Sequence, residues 1–506
     1  LLDRGADQIA AMLGALAAGA VYVPLDPALP APRLAEILEH STARALVAEP
    51  RTWSLARLLA GERALLDAAA VSADAGCRDA NDMADAPAFI LYTSGSTGRP
   101  KGVVQGHAAV LHNVGNYADA ASIGPDDRLS LIPSYAAAAA VSDIFAALLR
   151  GASLHPFDLR AEGLGALRRG LAGRAITVWH SVPSVFRELL RGLDGPSALP
   201  ALRLVKLGGE ALFRADLDLF RARFPAGVTL YNGLGATEVN TIRKLVLRPG
   251  EDVPGAVVPV GHAAPGVDVS IVGPDGVPLP AGETGEVEIA SRFLALGYWR
   301  EPALTAAAFR PLPGGARAYR TGDLGRLRPD GCLEWVGRRD EQVKVRGVRV
   351  EPAEVEAALA ACDGVADVAV VGRPGLVAFV APAAAPAPAE LRRALLARLP
   401  EAMVPERFVA LEALPRLPGG KVDRAALRAM PLPDEARPAP AAAPRTELER
   451  ALAALFEDAL DRRPVGARDD FFDLGGTSIA SKSASAASEV PPRSKKSSRA
   501  PTGRRS

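Results

Sequence analysis

Between Ile9 and about Gly235, short apolar runs alternate with amphipathic stretches at helical spacing: "RALVAE", "AFILYTS", "RLSLIPS", "ITVWHSV", "LRLVKLGG" and "VTLYNGLG". Strands of this length separated by helices read as parallel βαβ units, with ligand loops at the strand ends. Several of the runs end in Gly, Ser or Thr, residues that let backbone and hydroxyl groups approach a ligand. The pattern predicts an α/β fold with its chemistry at the carboxyl ends of the strands.

From Pro254 to Gly337 the pattern changes to short strands with turn signals, "DVSIVGPDGVPLP", "GEVEIAS" and "GCLEWVGRRD". This suits an antiparallel sheet or small barrel, with Pro-Asp-Gly at 274–276 and 329–331 turning the hairpins. A second α+β unit follows the charged strip Arg338–Glu341. It comprises "EQVKVRGVRV", a helix from about Pro352 to Ala361, strands "VADVAVVG" and "LVAFVAP", and a helix from Pro388 to Leu399. The stretch "DEARPAPAAAPRT" (434–446) reads as an extended Pro/Ala linker, and "ELERALAALFEDAL" as an amphipathic helix. From Ser481 onward the only β-branched aliphatic residue is Val490, too little apolar surface to offset ordering entropy, so this basic tail is expected to be disordered. The chain opens on Leu1 and enters at once a helical pattern that flows into the strand "VYVPLD", so the first units of the domain are expected to be missing.

A length of 506 residues exceeds one hydrophobic core and implies two to four domains. Lys+Arg (59) and Asp+Glu (58) nearly cancel, which points away from nucleic acid and anionic membranes and toward a small-molecule ligand. Cys77, Cys332 and Cys362 are too scattered for a disulfide framework or a zinc site. With no apolar run long enough to span a bilayer and no signal segment, a soluble cytoplasmic enzyme is expected.

The segment "FILYTSGSTGRPKG" (89–102) carries the most specific chemistry. An apolar strand leads into a loop whose glycines admit a polyanion, while Thr93, Ser94, Ser96 and Thr97 supply hydroxyls and Lys101 a positive charge. It is not a Walker loop, because the G-x-x-x-x-G-K-[ST] spacing is absent and Pro100 keeps Lys101 off an immediate helix start. A triphosphate is the ligand such a loop suits.

"YTSGSTGRPKG" is similar to the signature loop of the acyl-adenylate-forming superfamily, and further matches follow in that family's order. These are "LAAGAVYVPLDP" (16–27) before it and, after it, "NGLGATE" (232–238), "YRTGDL" (319–324), "GRRDEQVKVRG" (337–347), "LPEAMVP" (399–405) and "PGGKVDR" (418–424). The chain therefore resembles the adenylation domain of a nonribosomal peptide synthetase. That resemblance implies ATP-dependent activation of a small carboxylic acid as acyl-AMP, release of pyrophosphate, and transfer to a phosphopantetheine thiol. Thr93, Ser94, Gly95, Ser96, Thr97, Gly98, Lys101, Asn232 and Gly235 would bind ATP. It gives Thr237 to the phosphate, Glu238 to Mg²⁺, Asp323 to the ribose hydroxyls, and Arg338 to the ribose and phosphate. Lys421 would enter the site to contact the substrate carboxylate and α-phosphate, and Asp340 matches the hinge about which the small domain swings. Catalysis would be positioning and charge neutralisation by Lys101, Lys421 and Mg²⁺.

Aligning "VSDIF" on the family's pocket motif puts Ala138 where amino-acid-activating members carry an Asp for the substrate ammonium. An unpaired ammonium in a partly dry pocket is costly, so the expected acid lacks an α-amino group. The same alignment assigns Ala139, Ser142, His180, Lys206, Gly208, Gly233, Thr241 and Ile242 to the pocket, with His180 and Lys206 available for a second acidic or hydroxyl group.

The resemblance implies a large N-terminal core of αβαβα layers with a small β-barrel subdomain over 1–338, and a small α+β C-terminal lid over 339–432. A linker (433–446), a partial helical carrier segment (447–482) and the disordered tail (483–506) complete the expected organisation. "DDFFDLGGTSI" (469–479) is similar to a carrier attachment site, with Ser478 to bear phosphopantetheine; the apolar helices of a carrier do not follow, so Ser478 is expected to stay unmodified in this chain. The implied partners are carrier proteins or other synthetase modules. An acyl-CoA ligase and a non-catalytic nucleotide-binding remnant are the alternatives; a serine hydrolase or metalloenzyme lacks its G-x-S-x-G or H-E-x-x-H motif.

Overall fold

The computed structural model describes residues 1–70, 84, 86–95, 99–191, 199–224, 227–248, 250–373, 375–382, 384–417, 421–432, 443–460 and 464–467. Its chain divides into two units, one of residues 1–158 and 168–434, the other of residues 159–167 and 435–506.

The central element of the first unit is a seven-stranded sheet. Its order is His262–Ala263, Asn240–Leu247, Thr229–Ala236, Leu204–Gly208, Val178–Ser181, Arg128–Leu131 and Ser153–Pro156. The last five in that order run parallel, as the strand–helix alternation predicts, and the first two close the edge antiparallel. The helix Ala138–Arg150 shows how sequence builds the layer on this sheet. Ala140, Ile144 and Ala147 recur at helical spacing and are fully buried, and Gly151 ends the helix in the left-handed conformation with φ 74°. Asp143 lies three residues after Ala140 and four before Ala147, so the same geometry turns a carboxylate into the core, where it is fully buried.

Two readings of the sequence need correction. The run "AFILYTS" does not join the parallel sheet. Pro87–Thr93 and Lys101–Gly106 instead pair antiparallel, with Thr93 opposite Lys101, and form a separate three-stranded sheet with Gly297–Tyr298. The glycine-rich segment therefore connects two strands of a hairpin rather than a strand and a helix, which agrees with Pro100 excluding a helix start. "VYVPLD" forms no strand beyond a single bridge from Tyr22 to Phe89, since Pro24 and Pro27 restrict the backbone and remove donors a ladder needs.

Residues Val267–Val272, Gly285–Ser291, Phe309–Pro311, Arg317–Leu327 and Leu333–Arg338 form the expected antiparallel sheet of five strands. Gly331, at φ 78°, completes the Pro-Asp-Gly turn between the last two. Beyond it, Asp367–Arg373 and Gly375–Ala381 pair antiparallel, and Arg407–Ala410 joins the second of them in parallel. The period-2 alternation of these strands separates two apolar clusters. Val370, Ala378 and Val380 pack with Val355, Leu359 and Leu395, whereas Ala369, Val371, Val377 and Phe379 pack with Leu414 and Leu427. Pro352 and Pro388 open helices at the position where a missing N–H costs nothing.

A short hairpin, Val343–Val345 with Val348–Val350, is the first part of the small lobe that these strands and helices form. Arg346 and Gly347 both have positive φ, 51° and 76°, the turn that matches the twist of a two-residue hairpin. At the tip, a Cβ on Gly347 would lie 2.5 Å from Val182 Cγ1, so the lobe's hairpin seats directly against the strand–helix junction after Ser181.

In the second unit, Glu447–Leu460 is helical as expected. Thr446 Oγ1 accepts from the Glu449 amide at 3.1 Å, and Glu449 Oε2 accepts from the Thr446 amide at 2.9 Å, a reciprocal cap. Ser478 and the segment after it lie outside the described residues. Replacing fully buried Phe379 by Ala should destabilise the small lobe by about 3–5 kcal/mol, read as a lower urea midpoint; an unchanged midpoint would refute the packing described.

Candidate active site

The residues that follow Thr93, expected to bind phosphate, are held by the small lobe. Thr93 Oγ1 is buried without a hydrogen-bond partner. Ser94 Oγ donates to the Arg349 carbonyl at 2.8 Å, and the Gly95 amide donates to Glu354 Oε2 at 3.3 Å. A Cβ on Gly95 would lie 2.0 Å from the Arg99 carbonyl oxygen, so only glycine lets the loop fold back here. Ser96, Thr97 and Gly98 lie outside the described residues.

Lys101 opens the outgoing strand, and its Nζ sits 3.2 Å from Glu238 Oε1. Glu238 has no exposed surface. Arg349 Nη1 donates to both of its oxygens, at 3.0 and 3.1 Å, and the Tyr298 hydroxyl donates to Oε1 at 3.0 Å. Burial works to raise the Glu238 pKa, but Arg349 and Lys101 outweigh it and hold the carboxyl down at about 2. Burial lowers the Lys101 ammonium, with Glu238 opposing, and pushes the Tyr298 phenol well up. A single carboxylate suits Mg²⁺ whose other ligands are phosphate oxygens and water. No group of three or more His, Cys, Asp or Glu able to hold a metal occurs among the described residues. Glu238 fits that role once Arg349 has withdrawn from its two oxygens.

A second inter-lobe contact runs parallel to this one. Arg33 Nη1 lies 2.6 Å from Glu354 Oε1, both side chains nearly inaccessible. Arg349, Glu354 and Tyr298 were not among the residues expected from sequence. An Arg and a Glu near a helix start read as a solvated face, and only the folded hairpin brings them to Glu238 and Gly95.

On the antiparallel sheet Asp323 and Arg338 are direct strand partners. Arg338 Nη1 and Trp335 Nε1 donate to Asp323 Oδ1 at 3.0 and 3.1 Å, and Arg338 also holds Asp340 through two 2.6 Å bonds. The proposed ribose acid and the proposed hinge are thus tied through one guanidinium. Thr237 accepts from Gln105 Nε2 through its carbonyl at 2.6 Å. Asn232 donates to the Pro259 carbonyl at 3.0 Å, and Gly235 pairs with Thr241 across the edge ladder. Lys421 is exposed in this arrangement, its carbonyl accepting from Leu417, and no described contact links it to Glu238, Lys101 or Asp323.

The residues expected to line the acid pocket only partly converge. Ala138 starts its helix and packs partly buried on the main core, and Ser142 Oγ bonds back to its carbonyl. His180 and Lys206 are direct strand partners, as are Gly208 and Gly233. Ile242 instead packs with Val103, Leu234 and Val239 in a different cluster. Sequence reasoning passed over Asp143, whose Oδ2 lies 2.6 Å from His180 Nδ1 and whose Oδ1 lies 3.4 Å from Lys206 Nζ. A charged residue inside the apolar spacing of its helix was the available signal.

Residues 1–299 match the AMP-binding enzyme family, and residues 354–421 match the AMP-binding enzyme C-terminal domain. The chain belongs to the AMP-binding enzyme family, and its relatives are adenylation modules of nonribosomal peptide synthetases. It is 35% identical over 493 residues to tyrocidine synthase 3 of Brevibacillus parabrevis, covering 95% of this chain but 8% of that protein. It is similar in structure to holo-PA1221, a nonribosomal synthetase protein containing adenylation and carrier domains, with a TM-score of 0.76 and 29% identity over 95% of this chain and 81% of the other. A fused adenylation–carrier di-domain, NpsA-ThdA from Klebsiella oxytoca, gives a TM-score of 0.70 and 28% identity over 80% and 82% of the two chains. The chain spans less than half the length of the curated relatives it matches.

The Glu238 cage has a pH signature. Because its pKa falls from 4.5 to about 2 on folding, the stability from its ionisation is complete above the unfolded value and is lost as pH falls toward 2. Arg349→Ala removes the leading counter-charge, so acid unfolding should begin at higher pH in that variant. Thermal melts over a series of acidic pH values read this directly, and coincident curves for the two proteins would contradict it.

Proposed function

We propose that this chain condenses a small carboxylic acid lacking an α-amino group with ATP, then passes the acyl group to the phosphopantetheine thiol of a carrier domain. The observation that carries the reading is the shared use of Glu238. It lies beside Lys101 at the phosphate loop, and the small lobe's Arg349 covers both its oxygens. The absence of a carboxylate at Ala138 supports an acid without an α-amine.

In the first step a carboxylate oxygen attacks the α-phosphorus in line, the bond to the bridging oxygen breaks, and pyrophosphate leaves with that electron pair. Lys101 and the hydroxyls of Thr93, Ser94 and Thr237 hold phosphate oxygens, and Asp323, aimed by Trp335 and Arg338, accepts from the ribose hydroxyls. Bound Mg²⁺ would neutralise charge on the phosphates, with Glu238 as its protein ligand. Lys421 would reach the α-phosphate when the small lobe turns about Asp340. Its exposed position here, with Arg349 against Glu238, supports use of the lobe's two faces at two stages. In the second step the thiolate sulfur attacks the adenylate carbonyl, and the carbon–oxygen bond to AMP breaks.

Acid-dependent ATP–pyrophosphate exchange across a broad acid panel tests the reading. Lys101→Ala and Lys421→Ala should each lower exchange at least about 100-fold. Lys421→Ala should spare acyl transfer from preformed adenylate, and Arg349→Ala should impair that transfer more than exchange. Exchange with no acid would refute the proposal. Products formed with free coenzyme A but never with a supplied carrier would reassign the chain to the acyl-CoA ligases.

A further inference from the structure

The acid pocket contains charged groups that adenylate formation does not require. His180, Lys206 and Tyr231 occupy successive paired positions on three neighbouring parallel strands, so their side chains share one face of the sheet. Asp143 meets the first two from the helix above, and the Tyr117 ring centroid lies 3.5 Å from Lys206 Nζ. Each of these five residues is less than a tenth exposed. A buried ion pair with an added His is weak evidence for stability, since apolar residues would serve a core as well.

The hydrogen-bonding capacity of the cluster is not filled by the protein. A carboxylate only accepts, so Asp143 fixes the Nδ1–H tautomer of His180 and leaves Nε2 as an acceptor with no partner among the described residues. Burial lowers the His180 pKa, consistent with a neutral ring. Lys206 has three N–H groups, one toward Asp143 and one over the Tyr117 ring, and no described residue accepts the third. The Tyr231 hydroxyl is buried without a partner. Two residues further along the same face stand Gly208 and Gly233. A Cβ on Gly208 would meet only the Gly233 carbonyl oxygen, whereas one on Gly233 would lie 3.1 Å from the Tyr231 ring, so the space between this row and the strand ends is open beside Gly208 and walled by Tyr231 on the other side.

We propose that this row receives a hydroxyl group of the activated acid, with Lys206 donating to its oxygen and His180 Nε2 accepting its proton, while Asp143 positions both. This rests on the adenylation reading above. The charges of Asp143 and Lys206 already balance, so a second carboxylate or an ammonium would enter uncompensated. A carbonyl would leave His180 unmet, whereas a hydroxyl satisfies donor and acceptor together. Lys206 is level with Tyr231, four residues before Gly235, which is about 13 Å of strand. The hydroxyl is therefore remote from the carboxyl group rather than on the α-carbon.

Matched aryl and straight-chain acids carrying hydrogen, hydroxyl, amine or carboxylate at the remote end test this by ATP–pyrophosphate exchange. The wild-type enzyme should favour a hydroxyl member over its hydrogen counterpart by at least about 100-fold in kcat/KM, because a site built around a hydroxyl leaves buried groups unpaired without one. Asp143→Asn should raise KM for the hydroxyl acid while KM for ATP stays fixed. The double variant Asp143→Asn with Lys206→Met strands no buried charge and should bring the two acids to within a few-fold of each other. Equal use of both acids by the wild type, preference for any other terminus, or a hydroxyl preference that survives the double variant would overturn this assignment alone. Exchange with none of the acids would instead overturn the adenylation reading on which it rests.

Discussion

A carboxylate with no exposed surface cannot be left without counter-charge, and Glu238 is such a group. Lys101 supplies one cation from the strand that leaves the phosphate loop, and Arg349 supplies the other from the hairpin of the small lobe. Removal of Arg349 from this site therefore demands another cation in its place. In the proposed reaction a metal–nucleotide complex would be that replacement, so nucleotide binding and the lobe contact would compete for one carboxylate. The tight Arg346-Gly347 turn and the seating of Gly347 against Val182 keep the hairpin, and with it Arg349, beside Glu238.

Much of this was legible in the sequence, for physical reasons that differ from element to element. The parallel strands announced themselves because both faces are buried and read as continuous apolar runs. The loop proposed to bind phosphate stands out in its Gly, hydroxyl and Lys spacing, but the partner of its flanking strand does not, since an apolar run does not reveal what it pairs with. The pair Asp323–Arg338, proposed to hold the ribose, fell in recognisable motifs. Arg349 and Glu354 did not, because their meaning depends on a contact between lobes far apart in sequence.

The pocket shows the same limit in a sharper form. Aligning the helix on a family motif drew attention to Ala138, where a charge is missing, and away from Asp143, where one is present. Helical spacing alone placed Asp143 among Ala140, Ile144 and Ala147 on the buried stripe. Lys206 inside "LVKLG", a strand buried on both faces, carried an equivalent signal. Buried polar residues in apolar patterns must be paired, so Asp143 and Lys206, each the charged exception in its own apolar run, are natural partners of opposite sign.

The proposed competition for Glu238 is tested most directly by the distance between the two lobes in solution. Spin labels at exposed Leu58 and Leu396 would report it by electron–electron resonance. A non-hydrolysable ATP analogue with Mg²⁺ should shift the distance distribution away from that of the nucleotide-free protein, and the analogue without metal should shift it far less. An unchanged distribution at saturating metal–nucleotide would show that Glu238 is not shared, and would contradict the account.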